Sequence, residues 1–358
     1  MSLGKQVTLN SGHKIPQLGY GTWQSSPGEV STGVFEALKA GYKHLDLAKV
    51  YGNQAEVAEG LRKAFKEIPG LKREDVFITS KLWNRHVHPI LSLPHPCNDS
   101  VSSQHRPEIV EAALDDCLQE LGLDYLDLYL MHFPVAFKKG SRGAGEDLFP
   151  LTGGNQPDGD VEIDDGVSIV DTWKAMTKLP KTKARSVGVS NHTVPHLETI
   201  IKGTGVVPAA NQVERHPLLR QDDLIAYCKE KNIHITAYSA FGNNMFNIPL
   251  LVTRPEVKAV AERLTKKTGS PVTPAQVLLA WSEVGGHSVI PKSVTPSRIV
   301  ENFKEVELSP EDIKEIETVG KEQRRYNIPY IANKPRWDIN LFGEEAEKAA
   351  THQIILST

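Results

Sequence analysis

Between residues 18 and 302 the chain alternates short β-rich runs with amphipathic helical stretches, and this alternation decides most of what it can fold into. Candidate strands lie at 18–21, 44–46, 76–79, 126–131, 186–189, 209–212, 234–237 and 288–290. Helical patterns fall between them near 29–40, 55–65, 107–121, 168–178, 194–201, 222–231 and 274–281. A strand that leads through a helix to the next strand needs a crossover, and crossovers make neighbouring strands parallel. Eight such strands predict a closed α/β barrel, the (β/α)8 or TIM barrel. Ahead of it, residues 7–9 and 14–15 flank Asn10-Ser11-Gly12, a turn sequence for a β-hairpin expected to cap the barrel floor.

A Rossmann fold is the main rival, and the glycines argue against it. Gly203-Thr204-Gly205 is followed by Pro208, which forbids the helix that a dinucleotide fingerprint opens. Gly19-Tyr20-Gly21 reaches Gln24 without a third glycine, and no P-loop occurs. At 358 residues the chain is read as a single barrel domain, 1–358, with residues 323–358 as a C-terminal tail.

A formal charge of -3 gives no electrostatic case for nucleic acid or an anionic membrane surface. The opening MSLGKQVTLN lacks a signal pattern, and no apolar run is long enough to span a bilayer. Cys97, Cys117 and Cys228 stand far apart with no C-x-x-C pair, as reduced thiols do. The expectation is a cytoplasmic protein, in which the glycosylation patterns at Asn98 and Asn191 are chance matches.

Asp46, Lys81, His132, Asn191, Gln212, Tyr238 and Lys292 each sit at, or just past, the C-terminal end of a candidate strand. One polar residue after a strand is commonly a cap or turn residue. Seven in succession describe a ring, and barrels carry their active sites on that face.

The densest signal runs from Gly41 to Glu56 and includes Asp46-Leu47-Ala48-Lys49-Val50-Tyr51-Gly52-Asn53. It continues through Phe77-Ile78-Thr79-Ser80-Lys81-Leu82-Trp83, Leu130-Met131-His132-Phe133-Pro134, Gly188-Val189-Ser190-Asn191, Asn211-Gln212-Val213-Glu214 and Ile290-Pro291-Lys292-Ser293. In this order the motifs resemble the aldo-keto reductase family from about Val7 to Tyr326. Within that family, Leu45–Lys49 and Tyr238–Asn244 look like the fungal NADP-dependent glycerol dehydrogenase/glyceraldehyde reductases.

The resemblance implies a catalytic tetrad of Asp46, Tyr51, Lys81 and His132. Its logic is physical. Reducing a carbonyl puts negative charge on its oxygen, so a proton donor is needed there. A free phenol, with a pKa of about 10, is a poor acid near neutrality. An ammonium at Lys81 stabilises the phenolate of Tyr51, and the Asp46 carboxylate keeps a buried lysine charged. His132 donates a hydrogen bond to the carbonyl and orients the substrate. Such general acid chemistry supplies roughly 10²–10⁴-fold. Taken singly, Asp46 reads as a helix cap, Tyr51 as a core aromatic, Lys81 as a surface charge and His132 as a satisfied core histidine. Embedded in one ordered set of motifs, they read as a site.

The resemblance also implies NADPH/NADP+ bound without a glycine-rich loop. Tyr238 would stack under the nicotinamide, and Ser190, Asn191 and Gln212 would hydrogen-bond its carboxamide. Thr22, Ser239, Ala240 and Phe241 would line the ribose and pyrophosphate, although the family usually has Ser-Pro-Leu-Gly where Ser239–Gly242 stands. Lys292, Ser293, Val294, Arg298, Glu301 and Asn302 match the adenosine end, where two cations favour a 2′-phosphate and hence NADPH over NADH. No metal is implied. Trp23 is expected to wall the substrate pocket together with His132. The stretches 135–165 and 243–253 and the tail are expected to set specificity, with Trp337-Asp338-Ile339-Asn340 returning across the mouth.

The expected reaction is reduction of a small aldehyde or ketone of the glyceraldehyde type, or oxidation of the matching polyol, by a monomer or weak homodimer. Aldopentose reduction of xylose or arabinose stands second, weakened because yeast pentose reductases often have Asn where Val294 stands. A non-catalytic NADP-binding subunit, like the potassium-channel β-subunits, and an aldolase using Lys81 as a Schiff base are rivals from different classes. The retained tetrad disfavours the non-catalytic subunit, and site chemistry rather than fold decides both.

One segment does not fit. Family members pass from a Lys-Leu-Trp-Asn motif to a His-x-Pro helix start within a few residues, but here Lys81–Asn84 and His105-Arg106-Pro107 are held apart by residues 85–104. This stretch has no hydrophobic period and several Pro and Ser. His86, His88, His95, Cys97 and His105 have haphazard spacing for a metal site. A surface insertion is tolerable, since loop entropy grows slowly with length. The unrelated composition between two intact motif halves favours a retained intron or gene-model error. On that reading, mass spectrometry of the native protein yields no peptide containing Pro94–Pro96, and abundant peptides of that kind refute it.

Overall fold

The computed structural model describes residues 4–84, 105–138, 148–155, 158–243 and 248–357. The atypical segment 85–104, with His86, His88, His95 and Cys97, lies outside the described residues. Two strands, β1 (Gln6–Thr8) and β2 (Lys14–Pro16), form an antiparallel hairpin in which Val7 pairs with Ile15. Eight parallel strands then follow one another across one sheet in chain order. They are β3 (Tyr20–Gly21), β4 (His44–Asp46), β5 (Phe77–Leu82), β6 (Leu126–Met131), β7 (Ala184–Ser190), β8 (Ala210–Glu214), β9 (His234–Tyr238) and β10 (Ser288–Val289). This is the sheet of a (β/α)8 fold with an N-terminal hairpin, as the alternation predicts, with strand ends moved by a few residues. The strands β4, β5, β6 and β8 are buried at every position, as expected where helices cover a parallel sheet.

The connecting helices are α1 (Glu29–Ala40), α2 (Gln54–Glu67), α3 (Val110–Leu121), a single turn α4 (Thr152–Asn155), α5 (Ile169–Thr177), α6 (Val194–Thr204), α7 (Asp222–Glu230), α8 (Pro255–Thr268), α9 (Pro274–Glu283) and α10 (Pro296–Asn302). Their ends carry ordinary chemistry: Ser168 Oγ accepts from the Asp171 N–H ahead of α5, and Thr273 and Gln276 form a reciprocal capping box on α9. The sequence reading missed α8. Val257, Val260, Ala261 and Leu264 give it a buried stripe at helical spacing, but a template of one helix per crossover leaves no place for a second helix between β9 and β10.

The contacts divide the chain into two compact units. The first comprises Met1–Leu47, Asn53–Thr79 and Ala209–Tyr326. Here the sheet meets itself: Leu18 bridges Val289 in parallel, and the Gly19 and Gly21 N–H groups donate to Val289 and Pro291 carbonyls at 2.8 and 2.9 Å. Closure requires both glycines. A Cβ on Gly19 would stand 2.7 Å from His44 Nδ1, and one on Gly21 would stand 2.9 Å from the Ile290 oxygen. The Pro16 carbonyl at the end of the hairpin lies 3.2 Å from His44 Nδ1 and accepts from Ser288 Oγ at 2.9 Å. His44 and Ser288 are the first residues of β4 and β10, so the hairpin covers the N-terminal ends of these strands.

The second unit comprises Ala48–Gly52, Ser80–Pro208 and Asn327–Thr358. In it β6 and β7 pair from Leu126↔Ala184 to Met131↔Val189, and Thr172 of α5 donates to the His105 carbonyl at 2.7 Å. The tail ends in a two-stranded pair, β11 (Ile339–Asn340) with β12 (His352–Gln353). No described helix is long and apolar enough to cross a membrane.

Burial pushes the Glu283 carboxyl, at the end of α9, up to about 8, and the neighbouring Glu305 carboxylate adds to the shift. The fold therefore holds a proton that the unfolded chain releases above its ordinary carboxylate pKa. This contribution is complete below about pH 4 and is lost as pH rises through about 8. Thermal melts of the native chain are expected to fall on the order of a few degrees between about pH 5 and 9, and Glu283→Gln should flatten that decline. An unchanged slope in the variant would refute this account.

Candidate functional site

Within the second unit, β5 brings Lys81 into the interior, where it has no exposed surface. Tyr51 ends a 3-10 turn over Lys49–Tyr51, closed by Gly52 in the left-handed region. The Lys81 ammonium donates to Tyr51 Oη at 3.2 Å and lies 5.0 Å from the centre of the phenol ring. His132 follows β6 directly, and its ring meets Tyr51 edge-on with centroids 6.1 Å apart. Burial holds the imidazole pKa well below its ordinary value, and the Lys81 charge and His105 push in the same direction. A neutral donor, a phenol and an ammonium thus converge.

The histidine is fixed from several sides. Its ring stacks on Phe133 at 5.1 Å and takes Trp83 edge-on at 5.2 Å. Its backbone N–H donates to Leu82, while its carbonyl accepts from Asn191 Nδ2 at 2.9 Å. Behind it an aromatic cluster packs Trp83, Phe133, Phe137 and Phe149 around Trp337, which is buried. The tail therefore reaches the residues beside His132, as its Trp-Asp-Ile-Asn run suggests.

Within the first unit, Asp46 ends β4, opposite Thr79 on β5. Lys81 lies two residues beyond Thr79 in the sequence of that strand. Asp46 Oδ2 accepts from Gln212 Nε2 at 2.7 Å, and its carbonyl accepts from both the N–H and the hydroxyl of Thr22. Asn53 Nδ2 donates to the Thr22 carbonyl at 2.9 Å.

The other residues expected to hold NADPH are described unit by unit. In the second unit, Ser190 is buried and Asn191 takes a left-handed backbone at φ 62°. In the first unit, Tyr238 ends β9 half-buried, and Ser239 after it is also left-handed at φ 54°. Non-glycine residues in that region are uncommon and collect where a site over-determines the backbone. Ala240 is buried, whereas Phe241 is half-buried. Lys292 is half-buried and donates to the Gln24 carbonyl at 2.6 Å; burial lowers its pKa, with Glu29 opposing. Ser293 and Val294 are half-buried, Arg298 and Glu301 are exposed on α10, and Asn302 is buried. A half-buried aromatic ring, two cations and a neighbouring hydroxyl are the donor set a phosphorylated dinucleotide needs, so the residues fit the cofactor. Trp23 is exposed at 44%.

Sequence reasoning left several neighbours without a role. Trp83 sits two residues past Lys81, just beyond the end of β5, a spacing that could have marked it. Asn191 was read only as a carboxamide ligand, but it also holds the His132 backbone. The run at Trp337–Asn340 was expected to return across the mouth, but its packing against Phe133 was not foreseen. No group of three or more His, Cys, Asp or Glu among the described residues could hold a metal ion.

The Aldo/keto reductase family profile matches residues 17–321. The chain is 60% identical to the D/L-glyceraldehyde reductase of Hypocrea jecorina over 356 residues, covering 99% of each. It is 40% identical to the NADPH-dependent D-xylose reductase of Meyerozyma guilliermondii, over 92% of this chain and 98% of that one. Among solved structures, the aldose reductase of Schistosoma japonicum superposes with a TM-score of 0.76 at 36% identity, covering 96% of this chain and 98% of the other. This chain belongs to the aldo/keto reductase family.

Proposed function

We propose that the protein is an NADPH-dependent reductase of short aldehydes of the glyceraldehyde type, with Tyr51 as the proton donor. The observation that carries this reading is the Lys81 ammonium 3.2 Å from Tyr51 Oη, beside a histidine that burial keeps neutral. The bound nicotinamide supplies the hydride. Tyr51 gives its proton to the carbonyl oxygen as charge develops there, and the buried ammonium stabilises the phenolate left behind. His132 Nδ1 is buried without a hydrogen-bond partner among the described residues, which leaves the proton on Nε2 to be donated to the substrate oxygen. Asp46 completes the set as its carboxylate.

Tyr238, Ser190, Asn191 and Gln212 would hold the nicotinamide end. Thr22 and Ser239–Phe241 would line the ribose and pyrophosphate, and Lys292, Ser293, Val294, Arg298, Glu301 and Asn302 would hold the adenosine end. The names of the relatives support a glyceraldehyde-type substrate first and a pentose second. Trp23 is carried as a pocket residue. The same reading takes the protein as a cytoplasmic monomer or weak homodimer with neither a nucleic-acid nor a membrane partner, in keeping with a net charge of -3.

NADPH oxidation followed over glyceraldehyde, xylose and arabinose is expected to give the highest kcat/KM with glyceraldehyde. Tyr51→Phe should lower that value by roughly 10²-fold or more while leaving NADPH affinity nearly unchanged. Full activity in the variant would sink the assignment, and borohydride trapping of substrate on Lys81 without nicotinamide would favour an aldolase. In addition, the His132 imidazole resonances should remain those of a neutral ring between about pH 5 and 8, whereas a free histidine titrates there. A midpoint inside that window would contradict the neutral-donor role.

A further inference from the structure

Glu214 closes the motif Asn211–Glu214, yet the reaction above makes no use of it. Its side chain has no exposed surface, and a carboxylate buried in this way is costly unless it is paired. Oε1 accepts from the Tyr326 backbone N–H at 2.8 Å and lies 2.9 Å from His216 Nε2. The Glu214 carbonyl accepts from Gln221 Nε2 at 2.6 Å. The carboxylate thus binds the end of β8 to a residue 112 positions further along the chain.

Tyr326 is packed as well as tethered. Its ring centroid lies 5.2 Å from that of His216, and the Arg324 N–H just before it donates to the Leu218 carbonyl at 2.8 Å. It belongs to one core cluster with Leu218 and Leu251, against which Phe241 packs. A Cβ on Gly242 would already lie 3.4 Å from Tyr326 Cε2 and 3.3 Å from Leu251 Cγ, so this backbone lies directly against the ring. The loop after β9 is drawn together by Gly242 N–H to Ser239 and Leu251 N–H to Phe241, both at 2.8 Å.

We propose that Glu214 is a positioning residue for the cofactor: by holding Tyr326, it fixes the surface on which Ser239–Gly242 is laid. The proposal rests on the reading that this loop contacts NADPH. It also gives Phe241 a purpose, since the aromatic ring reaches the cluster containing Tyr326.

Two variants test this in the full chain, Glu214→Gln, which keeps the volume, and Tyr326→Ala, which keeps the backbone N–H but removes the ring. Fluorescence titration with NADPH is expected to show Kd rising about tenfold in each, the size of one charge-assisted hydrogen bond or ring contact, with faster release in stopped flow. The KM for glyceraldehyde at saturating NADPH should stay within about twofold, a split that general loosening of the fold would not produce. Unchanged NADPH affinity in either folded variant overturns the proposal, as does an equal rise in both constants. Lys292→Ala and Tyr238→Ala separate the two levels. If they weaken NADPH binding while Glu214→Gln and Tyr326→Ala do not, only the positioning role fails. If none of the four does, the cofactor reading fails with it.

Discussion

A lysine without exposed surface needs a reason to be where it is. Taking an ammonium out of water costs several kcal/mol after relaxation, and hydrophobic packing cannot return that energy to the charged form. Lys81 is placed by β5, a strand buried at every position, so the sheet itself forces the side chain inward. Its donation to Tyr51 Oη gives the charge a partner that is also a weak acid. The interaction stabilises the phenolate more than the phenol, because only the phenolate returns a full charge to the ammonium. The expense of burial is thereby turned into acidity where a carbonyl would need it.

The same cation also acts on the histidine. Burial discourages the imidazole from taking a second charge, and the neighbouring ammonium discourages it further. The stack of Phe133 and the edge of Trp83 leave the ring little freedom, while Asn191 holds the backbone beneath it. These contacts do for His132 what the 3-10 turn and Gly52 do for Tyr51: they fix how the side chain is presented. Positioning of this kind is worth more than any single hydrogen bond, since it removes reorganisation from the reacting step.

Much of this was legible in the residues, and the reason is periodicity. Parallel strands buried on both faces stand out as short apolar runs, and polar residues at their ends are conspicuous against them. Asp46, Lys81 and His132 could therefore be placed on elements before any geometry was known. Tyr51, in a loop, was found only because it stands in a motif. The second helix between β9 and β10 was hidden by an assumption of regularity, although Val257, Val260, Ala261 and Leu264 show its stripe plainly. The run at Trp337–Asn340 suggested a return across the mouth but not its aromatic partners, and Tyr326 lay beyond reach, because its importance comes from a carboxylate 112 residues away. No local pattern encodes such a pairing.

A dinucleotide site without a glycine-rich loop has to obtain its rigidity elsewhere. In a Rossmann fold a helix N-terminus and three glycines supply it within a few residues. Here the candidate residues are scattered over strand ends, so each must be fixed by its own neighbours. Gln212 is tied to Asp46, Lys292 to the Gln24 carbonyl, and Asn191 and Ser239 sit in left-handed backbone that only their surroundings can sustain. A buried carboxylate such as Glu214 fits that pattern. It is a poor contributor to stability compared with an apolar residue of the same volume, and its value lies in specifying where one distant backbone N–H must lie.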